Sequence, residues 1–149
     1  MKWIKLASLV LLGAFYVFAG WNHFANPDFY KPMMPPYLPA HDLLIVLSGV
    51  AEIGLGLAVL VPQTRRLAAW GIVALLVAVV PANFHIAIYD LPIGTATEGA
   101  GGWNWVRIAF QPVLMLWAWW HTRPDPAPAS DSYEASSSAA ASGSSPTTP

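Results

Sequence analysis

The chain has 149 residues, of which 56% are hydrophobic and only 10% charged, with a formal net charge of −1. A soluble domain is about a quarter charged, so this composition argues against a water-facing fold, and the lack of a basic patch argues against nucleic-acid binding. The absence of cysteine excludes disulfides, thiol redox chemistry and thiolate-held metals or iron–sulfur clusters within the chain.

The apolar residues fall into four runs. Residues 6–27 carry no formal charge when His23 is neutral, and Lys2 and Lys5 precede them. That start resembles a secretory signal, but the run is long and ends in Phe18-Ala-Gly-Trp-Asn-His without an Ala-x-Ala site. It therefore reads as a retained helix over about residues 3–21. Residues 26–42 follow with Pro27, Pro32, Pro35, Pro36 and Pro39. Proline removes backbone donors and blocks helix, which predicts an extended, aromatic loop packed on the mouth of a bundle. A second helix is expected over 42–61, with Asp42 as N-cap and Pro62 as the stop. A third is expected over 67–89, a glycine-rich loop over 90–102, and a fourth helix over 103–121. Each run is close to the ~20 residues that cross a ~30 Å hydrocarbon core. Residues 123–149 turn abruptly to Ser, Ala and Pro, a composition that predicts a disordered tail. The expected fold class is all-α: a four-helix transmembrane bundle over 1–122 and a tail over 123–149.

Lys and Arg set the orientation. With the N-terminus inside, Lys2, Lys5, Arg65, Arg66 and Arg123 lie on the cytoplasmic side, against Lys31 outside and Arg107 early in the fourth helix. Both termini are then cytoplasmic, in a multi-pass protein of the cell (inner) membrane.

Ionisable groups at membrane depth are costly and are functional candidates. At ~1.5 Å per residue, Arg107 lies about 6 Å below the outer face, with Gln111 one turn deeper. Asn83 and His85 lie about 6–9 Å below the outer end of the third helix, and Glu52 near mid-membrane with Ser48 one turn above it. His23 ends the first helix. Every helix thus places a polar group in the outer half, which predicts one polar pocket opening outward under the proline-rich loop. Pro81 and Pro112 free the carbonyls of Val77 and Ile108 for polar side chains. Gly49, Gly54 and Gly56 let a neighbouring helix approach Glu52. The purely structural alternatives are a Glu52–Arg107 ion pair, hydrogen-bond glue for Asn83, Ser48, Arg107 and Gln111, and interfacial placement for His41 and His121. No histidine pair has i, i+4 ligand spacing, so no metal is expected.

The same residues carry a family resemblance. Phe18-Ala-Gly-Trp-Asn-His-Phe-Ala-Asn-Pro-Asp-Phe-Tyr, Pro36-Tyr-Leu-Pro, Ser48-Gly-Val-Ala-Glu-Ile-Gly-Leu-Gly, Pro81-Ala-Asn-Phe-His, and Arg107 followed by Gln111 resemble the DoxX family of small membrane proteins. The resemblance covers about residues 1–121. It implies a four-helix membrane bundle and a link to quinone-coupled redox systems, with no catalytic motif to transfer. The matching positions are His23, Tyr30, Glu52, Asn83, His85, Arg107 and Gln111. Three functions follow as expectations. The first is an accessory subunit of a membrane redox system, holding a quinone in a pocket of His23, Tyr30, Ser48, Glu52, Asn83, His85, Arg107 and Gln111. The second is a non-catalytic assembly or chaperone-type protein that holds another membrane protein. The third is a small-solute transporter, which would need a homo-oligomer to alternate access. In each case the lipid bilayer is a partner, and no independent enzyme activity is expected.

Overall fold

A computed structural model describes residues 2–123 apart from 94, 95 and 97; the disordered tail expected from residue 123 onward lies outside the described residues from 124. The chain is all-helical, with no strand among the described residues. Helix α1 spans Lys2–Ala25, α2 is the short Pro27–Tyr30, and a 3₁₀ turn covers Lys31–Met33. Helix α3 spans His41–Ala58, α4 Arg65–Ala78, α5 Val80–Ile88, and α6 Gly102–Trp120.

Two local expectations are corrected. The proline-rich segment is not simply extended: Pro27 opens α2 and Pro32 sits in the first turn of the 3₁₀ helix. Proline is tolerated there because the first turn of a helix has no intrahelical acceptor for its N–H groups. The residue at the N-cap of α3 is Ala40, in the left-handed conformation (φ 52°), and Asp42 lies inside the first turn without a capping hydrogen bond. Asp42 still places a negative charge where the helix dipole favours one.

Three helical segments are long and apolar enough to cross a membrane: Trp3–Ala25, His41–Ala58 and Arg65–Ile88. The last is α4 and α5 in sequence, broken at Val79 two residues ahead of Pro81. Helix α6 has comparable length, but Asn104, Arg107 and Gln111 lower its hydropathy. Large apolar side chains are exposed along every long helix, among them Leu11, Phe18, Val50, Leu57, Leu67, Val77, Phe110 and Leu116. Surfaces this apolar on all sides are stable only in an apolar solvent, as expected of a membrane protein.

Helix α1 packs most extensively on α3; α3 meets α4, and α6 packs on both α4 and α5. The core is built from Leu9, Leu12, Tyr16, Val59, Ala68, Ala69, Ile72, Leu76 and Ala118. These residues lie toward the end that carries Lys5, Arg65, Arg66 and Arg123. There the N-terminus of α1 reaches the chain after α6, with Lys5 Nζ donating to the Arg123 carbonyl at 3.4 Å. His23, Asn83 and Arg107 lie toward the opposite end, near α2 and the 3₁₀ turn, while His121 and Thr122 are polar side chains buried at this one.

Candidate functional site: two polar clusters under a short helical lid

The first cluster forms because α1 and α3 touch through glycine. A Cβ on Gly20 would meet the Gly49 carbonyl at 2.6 Å and Glu52 Cβ at 2.9 Å. One on Gly49 would meet His23 Cβ at 2.8 Å, and one on Gly56 would meet Tyr16 Cβ at 3.1 Å. Gly13 and Gly20 on α1 thus face Gly56 and Gly49 on α3, an approach only small residues permit. Gly54 faces open space and takes no part. The consequence for Glu52 is placement between Tyr16 and His23, one turn either side of Gly20 on the same face of α1.

His23 is buried and its Nδ1 lies 3.0 Å from the Ile45 carbonyl. A carbonyl only accepts, so Nδ1 carries a proton and donates it. The other ring nitrogen, Nε2, lies 3.5 Å from Glu52 Oε2. That is ion-pair distance without hydrogen-bond geometry, and Glu52 Oε2 is buried with no hydrogen-bond partner among the described residues. Tyr30, from the lid, stacks on the His23 ring at 3.7 Å between centroids. Its phenol oxygen accepts from Asn22 Nδ2 at 2.9 Å, and Asn26 Nδ2 donates to Asn22 Oδ1 at 2.7 Å. Burial pushes the Tyr30 phenol above its ordinary range; the nearby Glu52 adds to the shift, while the Asn22 bond and Arg107 oppose it. Tyr30 therefore lies within electrostatic reach of both Glu52 and Arg107.

The second cluster lies between α4–α5 and α6. Arg107, partly buried, donates from Nη2 to Asn83 Oδ1 at 3.5 Å and to Met33 Sδ of the 3₁₀ turn at 3.6 Å. Both contacts are long, and a guanidinium has five N–H donors. One turn deeper, buried Gln111 donates from Nε2 to the Leu76 carbonyl at 2.9 Å. The acceptor made available at the break between α4 and α5 is thus Leu76 rather than the expected Val77. These side chains line a half-open cavity of about 500 Å³, together with Ile93, Trp103, Val106, Phe110 and Leu114. Its wall is overwhelmingly apolar, with Arg107, Asn83 and Gln111 as polar points, a construction typical of small-molecule sites.

The eight residues singled out from sequence are therefore not one pocket. His23, Tyr30 and Glu52 form one cluster, and Asn83, Arg107 and Gln111 line the cavity of the other. Ser48 is partly buried on α3 and makes no hydrogen bond among the described residues. His85 packs its ring on Tyr89 at 4.8 Å, outside the cavity wall. Glu52 takes His23 and not Arg107 as its ion-pair partner among the described residues. Tyr16, Asn22 and Met33 were missed. Only Tyr16 had a signal, its seven-residue spacing to His23 with Gly20 between them. His41 bonds its own loop, its Nε2 donating to the Pro35 carbonyl at 3.1 Å. His121, expected at the interface, is buried, and its Nε2 lies 3.1 Å from Ser8 Oγ, which accepts from Trp117 Nε1 at 2.8 Å.

The α6 N-terminus is fixed by the loop before it. Asp90, in the left-handed region (φ 44°), accepts through Oδ1 from the Gly101 N–H at 2.7 Å and from Asn104 Nδ2 at 3.0 Å. This tie starts α6 at Gly102 and so sets where Arg107 and Gln111 fall along the cavity.

No curated protein and no solved structure matches the chain. A family model does match, over residues 12–122, a range that takes in both clusters and the lid: the chain belongs to the family described as Domain of unknown function (DUF8561).

Proposed function

We propose that the protein is a membrane-embedded binding protein for a small amphipathic molecule bearing acceptor oxygens, a quinone headgroup in the first instance. In this reading it serves as an accessory subunit of a membrane redox system and performs no catalysis alone. Helix α6 is the fourth span of a four-helix bundle; its Arg107 and Gln111 line the cavity, and the cationic end carrying Lys5, Arg65, Arg66 and Arg123 lies in the cytoplasm with both termini. The DoxX-like motifs support the redox part of the reading.

One observation carries the proposal. Arg107, at membrane depth, engages the described residues only through 3.5 and 3.6 Å hydrogen bonds, and it lines a cavity of about 500 Å³ walled by Trp103, Phe110 and aliphatic side chains. A partly buried cation with such weakly engaged donors in an apolar slot favours a flat apolar ring with a carbonyl oxygen at its edge. The test is a titration of the full-length protein in lipid nanodiscs with a short-chain benzoquinone. Saturable binding is expected, weakened about 10–100-fold in Arg107→Gln, since a hydrogen bond to a charged group is worth about 1.5–3 kcal/mol. Equal binding by wild type and Arg107→Gln would remove the cavity as the site. No saturable binding at all would leave the assembly-protein reading in its place.

A further inference from the structure

We propose that the cavity between α4–α5 and α6 opens sideways into the hydrocarbon of the membrane and takes a lipid-soluble ligand, whose polar head reaches Arg107 while an apolar tail leaves through the mouth. The head rests on the ligand reading above; the sideways mouth rests on α6 being a span.

Three sides of the cavity are held by contacts between elements. At its outer end Ile93 lines it, and the loop that carries Ile93 is tied to α6: Asn104 Nδ2 donates to Asp90 Oδ1 at 3.0 Å and to the Leu91 carbonyl at 3.3 Å. At its inner end buried Gln111 bridges α6 to the Leu76 carbonyl of α4 at 2.9 Å, and Leu114 lies one turn further along the wall. Between them Arg107 spans to α5 and the lid, its Nη2 donating to Asn83 Oδ1 at 3.5 Å and to Met33 Sδ at 3.6 Å.

The fourth side is different. Trp103, Val106 and Phe110 line the cavity yet are 69%, 46% and 54% exposed, whereas Gln111 beside them is 5% exposed. Spaced three and four residues apart, they form one stripe along the flank of α6, which exposed Val113 continues. Apolar side chains exposed on a span face lipid, so a mouth among them meets molecules dissolved in the bilayer. The same geometry sets the chemistry of the ligand. Whatever leaves through the mouth lies in hydrocarbon, where an unpaired polar group is strongly disfavoured, so that part is an alkyl or isoprenoid tail. The head must bring acceptor oxygens, because Arg107 has no carboxylate partner among the described residues: Glu52 pairs with His23, Asp28 and Asp42 pair with Lys31, and Asp90 holds the Gly101 N–H and Asn104. Lipid chains are as apolar as the groove, so the tail concentrates the ligand in the bilayer and the contact with Arg107 retains it.

Two measurements on the full-length protein in nanodiscs decide the matter, and a chain without cysteine gives the first a clean background. A nitroxide attached to Val106→Cys should collide with oxygen, which concentrates in hydrocarbon, and be shielded from an aqueous nickel chelate; Phe110→Cys takes its place if that variant does not fold. Nickel contact exceeding oxygen contact would put the mouth in water and overturn the proposal. The second is a titration with two benzoquinones that share one ring, one carrying a decyl chain and the other an oligo(ethylene glycol) chain of equal length. The decyl compound should bind saturably and be weakened in Arg107→Gln. The glycol compound should bind at least about tenfold more weakly, because its ether oxygens find no donors in hydrocarbon. Equal or tighter binding of the glycol compound overturns the tail and leaves the ligand reading intact. Decyl binding unchanged in Arg107→Gln, or binding of neither compound, overturns both.

Discussion

Gly20→Ala probes the contact that places Glu52. The added methyl would lie 2.6 Å from the Gly49 carbonyl, 2.8 Å from Ile53 Cγ1 and 2.9 Å from Glu52 Cβ. Methyl contacts settle near 3.5–4.0 Å, so α3 must retreat by about 1 Å. The nearest atom is backbone, so no side-chain rotation relieves it. Overpacking of this kind costs about 1–3 kcal/mol, and replacing glycine in a helix returns about 1 kcal/mol. Gly54→Ala supplies the control on α3, because a Cβ there meets nothing within 4 Å. It should gain the propensity term alone. The difference between the two variants therefore isolates packing, at about 1–3 kcal/mol. Equilibrium unfolding in mixed micelles, with a denaturing detergent as titrant, reads it directly. If Gly20→Ala is as stable as Gly54→Ala, the glycine seam does not hold α1 against α3, and the placement of Glu52 beside His23 loses its cause.

Three other outcomes follow. Gln111→Leu should cost about 1–3 kcal/mol in the same assay, because it strips the Leu76 carbonyl of its donor in a buried setting; a neutral substitution would show that water reaches that carbonyl. Asp90→Ala removes the bonds to the Gly101 N–H and to Asn104. It should cost about 0.5–2 kcal/mol, as loss of a helix cap does, and hydrogen exchange should rise in the first turn of α6; unchanged exchange there would contradict the capping role. Tyr30 has a folded-state pKa above its ordinary 10.0, chiefly from burial. Its contribution to lid stability is complete below pH 10.0 and is lost as pH rises through the higher folded value. A phenolate absorbance titration of wild type minus Tyr30→Phe should show one tyrosine ionising late, and an ordinary midpoint would remove Tyr30 from its buried seat on His23.

The spans were legible because hydropathy alone decides which segments can enter lipid, and the runs around Leu12, Val50 and Leu76 are nearly free of charge. The kink at Pro81 was legible for the same local reason, proline lacking an N–H. What could not be read was facing. Gly49 and Gly54 look alike beside Glu52, yet only Gly49 meets α1, because helix pairing fixes which side of α3 is covered. Arg107 and Glu52 sit in one half of the chain's depth profile, so a single pocket was the economical expectation. The fold instead pairs Glu52 with His23 across the glycine seam and leaves Arg107 to a different cavity, with Tyr30 and Met33 of the lid between them. His121 illustrates the same limit: its position at a helix end says interface, and only packing against Ser8 and Trp117 shows it buried.

The most direct check on a ligand site between α5 and α6 is photolabelling of the protein in nanodiscs with an azido-benzoquinone, followed by peptide mapping. Labels concentrated on peptides containing Trp103, Arg107 and Phe110, displaced by excess unlabelled quinone and lost in Arg107→Gln, are the expected result. Labels spread over all lipid-facing helices, with no displacement, would contradict it.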